Sequence, residues 1–537
     1  MGVRSRWAGM GTILLAALTA VLVPLAVAVP MGPAAGNPAD SGSTADSGST
    51  ADSGSSDDDV GRATEHEIAR VETYLRRHMA EIRIPGLAYA VVRGTEVIGQ
   101  GTWGVDGDGA RVTPQTPFVV GSVSKSFTAL AVRQLVEAGR VELDAPVRRY
   151  VPELRLADES VAARITVRQL LTHTTGLPQV VTMGLNDRYD NAPDGLARSV
   201  RDLATVSPTM PLGEAYQYSN ANYMILGLLV ETVTGQTFGG YLREHVLDPL
   251  GMTHSATTGA EARAVGVPPG HRYYFGHPTR FDPPFDASGV PYGHLAASLS
   301  DLTHYAVAQL NDGRYGDATV LSPQGIAELH AGQVAVGGGG SYGLGWREST
   351  LDGFGDRLVW HAGAAANYFG HILLVPGSDL AVVILSNVYS LAMDWPLASM
   401  AFNVARIMRG GEPVAAARDS ALTWTLTGLL VVVGLLLIVL TWSVVRAVRR
   451  RRRAGVPAAR RRIVVGAAGW VVGCAALVTG ALWALPAMFD GAGLAQAMLY
   501  TMDIGHAMVA VAVLAGTIAL VRLAAAGYAL SRPRGGG

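Results

Sequence analysis

The chain holds one lysine among its 42 Lys+Arg residues, Lys125, and it stands three positions after a serine in Ser122-Val123-Ser124-Lys125. At i and i+3 of a helix the two side chains share a face, so the amine can reach the hydroxyl. A buried lysine loses its proton near neutrality by desolvation and then serves as a base. Arginine cannot, because its guanidinium does not deprotonate in proteins. A serine at a helix N-terminus also meets free N–H groups that favour developing negative charge. Two further groups could join it. Tyr218-Ser219-Asn220 offers a phenol and an amide able to bond both the lysine and a substrate carbonyl. His361-Ala362-Gly363 offers a titratable ring and a glycine that lets backbone approach a ligand closely. The N–H of Ala364 would then pair with that of Ser122 as an oxyanion hole. Alone, the second group reads as a capping loop and the third as a structural histidine beside Trp360.

These groups need elements to hold them. Phe127, Leu130, Ala131, Leu135 and Ala138 give one apolar face to a helix opened by Ser122, with Gly139 where a C′ residue belongs. Tyr223, Leu226, Val230 and Val233 predict a helix ending at Gly235, just after the Tyr218 loop. His361 follows the strand-like run Leu358-Val359-Trp360. Gly86 to Val92 with Glu96 to Gly101, and Phe369 to Val375 with Leu380 to Ser386, read as strand–turn–strand pairs. With strands at both ends and helices between, residues 61–410 are expected to form one α/β (α+β) domain whose terminal segments share a sheet.

The order S-x-x-K, Tyr-x-Asn, His-x-Gly resembles the serine β-lactamase and penicillin-binding-protein superfamily. Within it, Leu170-Leu171-Thr172-His173-Thr174-Thr175-Gly176-Leu177-Pro178, Asp248-Pro249-Leu250-Gly251-Met252 and Tyr342-Gly343-Leu344-Gly345-Trp346 are similar to the class C-related branch of carboxypeptidases and esterases. The resemblance spans about residues 65 to 405. It implies an antiparallel sheet flanked by helices, with a helical subdomain. It implies Ser122 as acylated nucleophile, Lys125 and Tyr218 as base system, Asn220 as positioner and His361 in an electropositive third position. Two departures matter. His361 stands where true β-lactamases have lysine, so turnover of anionic substrates is expected to fall between about pH 6 and 8 as the ring loses charge. Ala362 stands where relatives carry a Thr or Ser hydroxyl for the substrate carboxylate, so neutral esters are expected to be preferred unless an arginine such as Arg347 or Arg357 takes that role.

Composition sets the surroundings. Lys+Arg 42 against Asp+Glu 43 leaves a net charge of −1, which argues against a nucleic-acid partner. Cys474 is the one cysteine, which excludes a disulfide framework and a Cys-based zinc site. Only 16% of residues are charged and 49% are hydrophobic, the balance of a chain with membrane segments. Arg4, Arg6 and the apolar run Trp7 to Val29 predict an export signal or N-terminal anchor over residues 1–29. Near-copies of Ala-Asp-Ser-Gly-Ser-Thr from Ala39, Ala45 and Ala51 make residues 30–60 a solvated tether. Residues 421–530 hold three expected transmembrane spans: Leu422 to Val445, Ile463 to Leu485 and Ile504 to Leu523. The arginines at 446, 449–453 and 460–462 place the first loop inside and the 61–410 domain outside. No span is expected to carry an ionisable residue at mid-depth, and Gly469-x-x-x-Gly473 is either a helix-packing face or chance.

The expected protein is a multi-pass cell-membrane protein with an extracytoplasmic serine hydrolase acting through a Ser122 acyl-enzyme, without metal or organic cofactor. Its partners would be the membrane and a small-molecule or peptidoglycan-derived substrate bearing an ester, amide or D-amino-acid peptide bond. The alternative from another class is a slowly acylating sensor of penicillins or wall fragments that signals through its membrane helices.

Overall fold

The computed structural model describes residues 57–179, 184–417, 420–452, 459–488 and 493–531. The expected export segment and nearly all of the tether lie outside them. The first helix, α1 (Asp57–Ile82), begins within the last residues assigned to that tether.

Short runs of apolar and β-branched residues build the central sheet. β1 (Gly86–Arg93) and β2 (Glu96–Gly104) form the first expected hairpin. β3 (Val334–Gly337), β4 (Gly340–Tyr342), β5 (Arg347–Thr350), β6 (Arg357–Ala365), β7 (Tyr368–Val375) and β8 (Leu380–Ser386) follow late in the chain. Their order is β2-β1-β8-β7-β6-β5-β4-β3, antiparallel throughout. β1 pairs with β8 from Leu87 opposite Ser386 to Arg93 opposite Leu380, so the terminal segments do share one sheet. β8, Leu-Ala-Val-Val-Ile-Leu-Ser, is buried at every position, as a strand covered on both faces requires.

The covers are helices. α5 (Asp394–Met408) packs on β7, β8 and α1, whereas α4 (Leu299–Leu310) packs on β1 and β8. α2 (Ser124–Glu137) and α3 (Asn220–Thr234) contact each other within the helical part inserted between β2 and β3. α3 stops at Gly235, whose φ of +75° suits a residue without Cβ. Phe127, Leu130, Ala131 and Leu135 of α2 are all buried, each larger side chain contributing about 1.5–3 kcal/mol relative to exposure. β5 pairs with β6 only as far as Trp360, so residues 361–365 present an open strand edge. That edge is where the site forms.

Residues from 420 onward belong to a separate compact unit. It contains three helices long and apolar enough to cross a membrane: α6 (Ser420–Arg452), α7 (Arg460–Thr479, continued by a wide turn to Ala484) and α8 (Met502–Ser531). α8 touches both others. A Cβ on Gly469 would meet open space, so the GxxxG pattern is not a close-packed face here.

Candidate active site

A single 3₁₀ turn, Gly121–Val123, carries Ser122 into α2. Ser122 thus precedes the α-helix rather than opening it. Ser124 Oγ donates to the Gly121 carbonyl at 2.7 Å and accepts from the Leu295 N–H at 3.2 Å, which fixes the turn. Gly121 has φ +55°, and a Cβ there would lie 2.3 Å from the Ala364 nitrogen. A Cβ on Gly363 would lie 2.5 Å from the Ser122 nitrogen. Two glycines therefore let the open edge of β6 close onto the nucleophile's backbone, bringing the Ala364 amide against the Gly121–Ser122 turn.

Lys125 is fully buried, with Nζ 2.9 Å from Ser122 Oγ and donating to the Tyr292 carbonyl at 2.6 Å. Loss of hydration, reinforced by Arg347, holds its pKa well below the ordinary lysine value. The carbonyl comes from a buried wide turn, Val290–His294. Thr128 Oγ1 bonds that turn at Pro291 O (2.7 Å), and the His294 ring bonds Asp187 Oδ1 at 2.9 Å.

Tyr218 donates its hydroxyl to Ser122 Oγ at 2.7 Å. Burial pushes its pKa up, so the resting group is a phenol, not a phenolate ready to act as a base. Asn220 opens α3, yet no hydrogen bond joins it to Lys125: its N–H donates to Gln179 Oε1, and its Oδ1 is buried without a partner among the described residues. That oxygen is free for an incoming donor.

His361 overturns one expectation. The ring is buried, and desolvation, Lys125 and Arg347 all drive its pKa well down. It is therefore neutral, and the third position is not electropositive through this residue. Nδ1 donates to the Ala362 carbonyl at 2.7 Å, which leaves Nε2 to accept the Tyr342 hydroxyl at 3.1 Å. The positive charge at this edge belongs to Arg347. It donates to Tyr216 Oη at 3.1 Å, with its guanidinium carbon 5.4 Å from the Trp360 ring centroid. Arg357, the other arginine considered, is turned to Glu348 and the His330 carbonyl. Strand alternation puts Ala362 on the face of Trp360, the residue opposite Arg347.

One residue that holds this site had no role assigned from sequence. His173, in the Thr-His-Thr-Thr-Gly stretch, is buried at φ +58°. Its Nδ1 accepts from the Ser219 N–H (3.2 Å) and from Asn222 Nδ2 (3.0 Å), and its ring lies 4.5 Å from that of Tyr218. Thr175 Oγ1 donates to Asn222 Oδ1 at 2.7 Å. The signal was the motif itself; the left-handed turn that aims the ring was not readable.

Residues 71–401 match the family model described as Beta-lactamase. The chain belongs to the β-lactamase family. Among curated relatives of this β-lactamase-family chain, protein flp of Staphylococcus aureus (strain MW2) is 27% identical over 333 residues, covering 61% of this chain and 65% of flp. Penicillin-binding protein 4 of Amycolatopsis lactamdurans is 34% identical over 292 residues, covering 52% of this chain and 74% of that one. The octameric penicillin-binding protein homologue from Pyrococcus abyssi superposes with a TM-score of 0.56 at 26% identity, covering 64% of this chain and 78% of that structure. In these family terms the site is a serine approached by an amine and a phenol beside an open strand edge.

Proposed function

We propose that this β-lactamase-family domain is an extracytoplasmic serine hydrolase, held at the cell membrane by its C-terminal helices, that works through a Ser122 acyl-enzyme. One observation carries the reading: Ser122 Oγ lies within 2.9 Å of an amine and 2.7 Å of a phenol, and the amine is wholly buried. The neutral Lys125 amine takes the Ser122 proton as Oγ adds to a substrate carbonyl. The Ser122 and Ala364 N–H groups receive the oxyanion. Tyr218, still protonated, supplies a proton to the leaving group; water then releases the acyl group. Asn220 Oδ1 accepts a substrate amide N–H.

The substrate is an ester, amide or D-amino-acid peptide. Ala362 offers no hydroxyl to a carboxylate, but Arg347 stands one strand away and supplies the charge instead, which favours peptides ending in a free carboxylate. The names of two relatives, which speak of penicillin binding, agree with that direction.

The test is parallel labelling of the full chain in detergent with a fluorescent penicillin and a fluorophosphonate, read by intact mass. Wild type is expected to gain one adduct, and Ser122→Ala none. An adduct that persists on Ser122→Ala removes the nucleophile; none on wild type with either probe removes the acyl-enzyme.

A further inference from the structure

The membrane unit has positive charge that its own chain does not answer. Arg522 was placed at the end of the third expected span, but α8 runs on to Ser531, so the residue lies nine positions inside the helix. It is 20 residues past Met502, about 30 Å along the axis at 1.5 Å per residue, which is the thickness of a bilayer's hydrocarbon core. Trp442 on α6 lies 22 residues past Ser420, about 33 Å by the same measure. Both therefore reach the same membrane boundary, the one marked by the arginines of the first loop.

At that level three helices converge on one guanidinium. Its carbon is 4.5 Å from the Trp442 ring centroid and 4.3 Å from that of Trp470 on α7. Nε donates to Ser443 Oγ at 3.0 Å, whereas Nη2 is buried with no hydrogen-bond partner among the described residues. Arg446 is itself 5.3 Å from the Trp442 centroid, and Arg450 follows it by one helical turn on the same face of α6. Among the described residues none of the three has a carboxylate within ion-pair distance. The sequence past residue 420 holds only two acidic side chains, Asp490 and Asp503, and Asp503 sits at the opposite end of α8.

We propose that Arg522, Arg446 and Arg450 bind the phosphate of an anionic phospholipid headgroup at this boundary, with Trp442 and Trp470 holding the Arg522 plane. Like charges gathered in a poorly hydrated zone are stable there only when an anion lies among them, and a phosphodiester matches the fork of a guanidinium. Basic pockets between membrane helices take such headgroups. The proposal rests on α6, α7 and α8 crossing a membrane. A chain that fractionates as soluble without detergent would remove that premise, separately from the lipid site.

The test uses the full chain in nanodiscs of phosphatidylcholine with or without phosphatidylglycerol, followed by native mass spectrometry of the lipids retained. Wild type is expected to keep phosphatidylglycerol in preference to phosphatidylcholine. Arg522→Gln and Arg450→Gln are each expected to lower that preference about fivefold or more. Arg314→Gln, exposed in the 61–410 domain, should leave it intact, and Arg522→Lys should restore part of it. Arg450 is exposed, so its variant carries the test if Arg522→Gln does not fold. Equal retention of the two lipids, or unchanged preference in Arg450→Gln and a folded Arg522→Gln, would mean that Arg522 only locks the helices together. If inorganic phosphate in phosphatidylcholine discs stabilises the chain as well as phosphatidylglycerol does, the site is for free phosphate and the lipid assignment fails.

Discussion

A lysine stripped of water is the proposed base, and its burial opposes folding. Lys125 is wholly buried and its pKa is held well down by desolvation and by Arg347. The folded value therefore lies below the unfolded one. Between the two the unfolded chain binds more protons, so this group makes stability rise with pH, and its penalty is largest at low pH. Lys125→Met is expected to slow acylation by about 10²–10⁴-fold. It should unfold in urea no more readily than wild type at neutral pH, with any advantage shrinking as pH climbs toward the ordinary lysine value. Acylation kinetics and urea midpoints at two pH values check this; a variant that acylates normally would remove Lys125 from the chemistry. His361 gives a second outcome at this scale. Because burial, with the Lys125 amine and the Arg347 guanidinium nearby, keeps its ring neutral, turnover of anionic substrates should show no step assignable to it between about pH 6 and 8. His361→Asn is expected to change the height of that profile and not its shape. A step present in wild type and missing in the variant would restore the charged histidine.

Loops and strands, not single residues, decide where Tyr218 points. The loop before α3 has Gln217 N–H donating to the His173 carbonyl at 2.8 Å and Ser219 N–H donating to the His173 ring. Asn222, in the first turn of α3, completes the clamp. Removing the ring leaves Ser219 N–H and the Asn222 amide buried without their acceptor, a cost of about 1–3 kcal/mol each at most. His173→Ala is therefore expected to lower stability by a few kcal/mol and, in the fraction still folded, to reduce kcat with little change in KM, because Tyr218 loses the tilted ring packed against it. His173→Asn, which keeps an acceptor near the same place, should recover part of kcat. Loss of stability with an unaltered kcat per folded molecule would make His173 structural only. Gly121 and Gly363 act at the same scale: any side chain on either would push the edge of β6 off the nucleophile.

The whole molecule is two units in one chain, a hydrolase-like domain and a bundle of membrane-length helices. The sidedness proposed for them rests on charge. Arginines crowd the facing ends of α6 and α7, whereas the connection before α8 carries Asp490 and the first turn of α8 carries Asp503. In a Cys474→Ala background, a cysteine at Ala454 should resist an impermeant thiol reagent on intact cells, and one at Gly491 should react. The reverse pattern would put the domain inside the cell and take wall-derived substrates out of its reach.

The sequence determined what could be said from residue type and spacing. A lone lysine three residues after a serine, and two weak motifs in order behind it, were enough to identify the nucleophile's neighbours, because S-x-x-K spacing and helix geometry leave little freedom. The hairpins followed from short apolar runs bounded by turn residues, and the sharing of one sheet by the terminal segments followed from strands at both ends of the domain; which strands pair came from the structure. What the sequence could not supply was the environment. His361 was expected to titrate because its intrinsic pKa lies near 6.5; only the fold shows that Lys125 and Arg347 crowd it within a dry interior. Tyr218 as a phenol, the Tyr292 carbonyl that receives Lys125, and the clamp of His173 depend on segments far apart in the chain meeting at one point. Arg522 received no role from sequence for the same reason: hydropathy locates a span, but the helix's real length and the two tryptophans around the guanidinium come from packing. Burial and charge are sums over all neighbours in space, and no local pattern contains that sum.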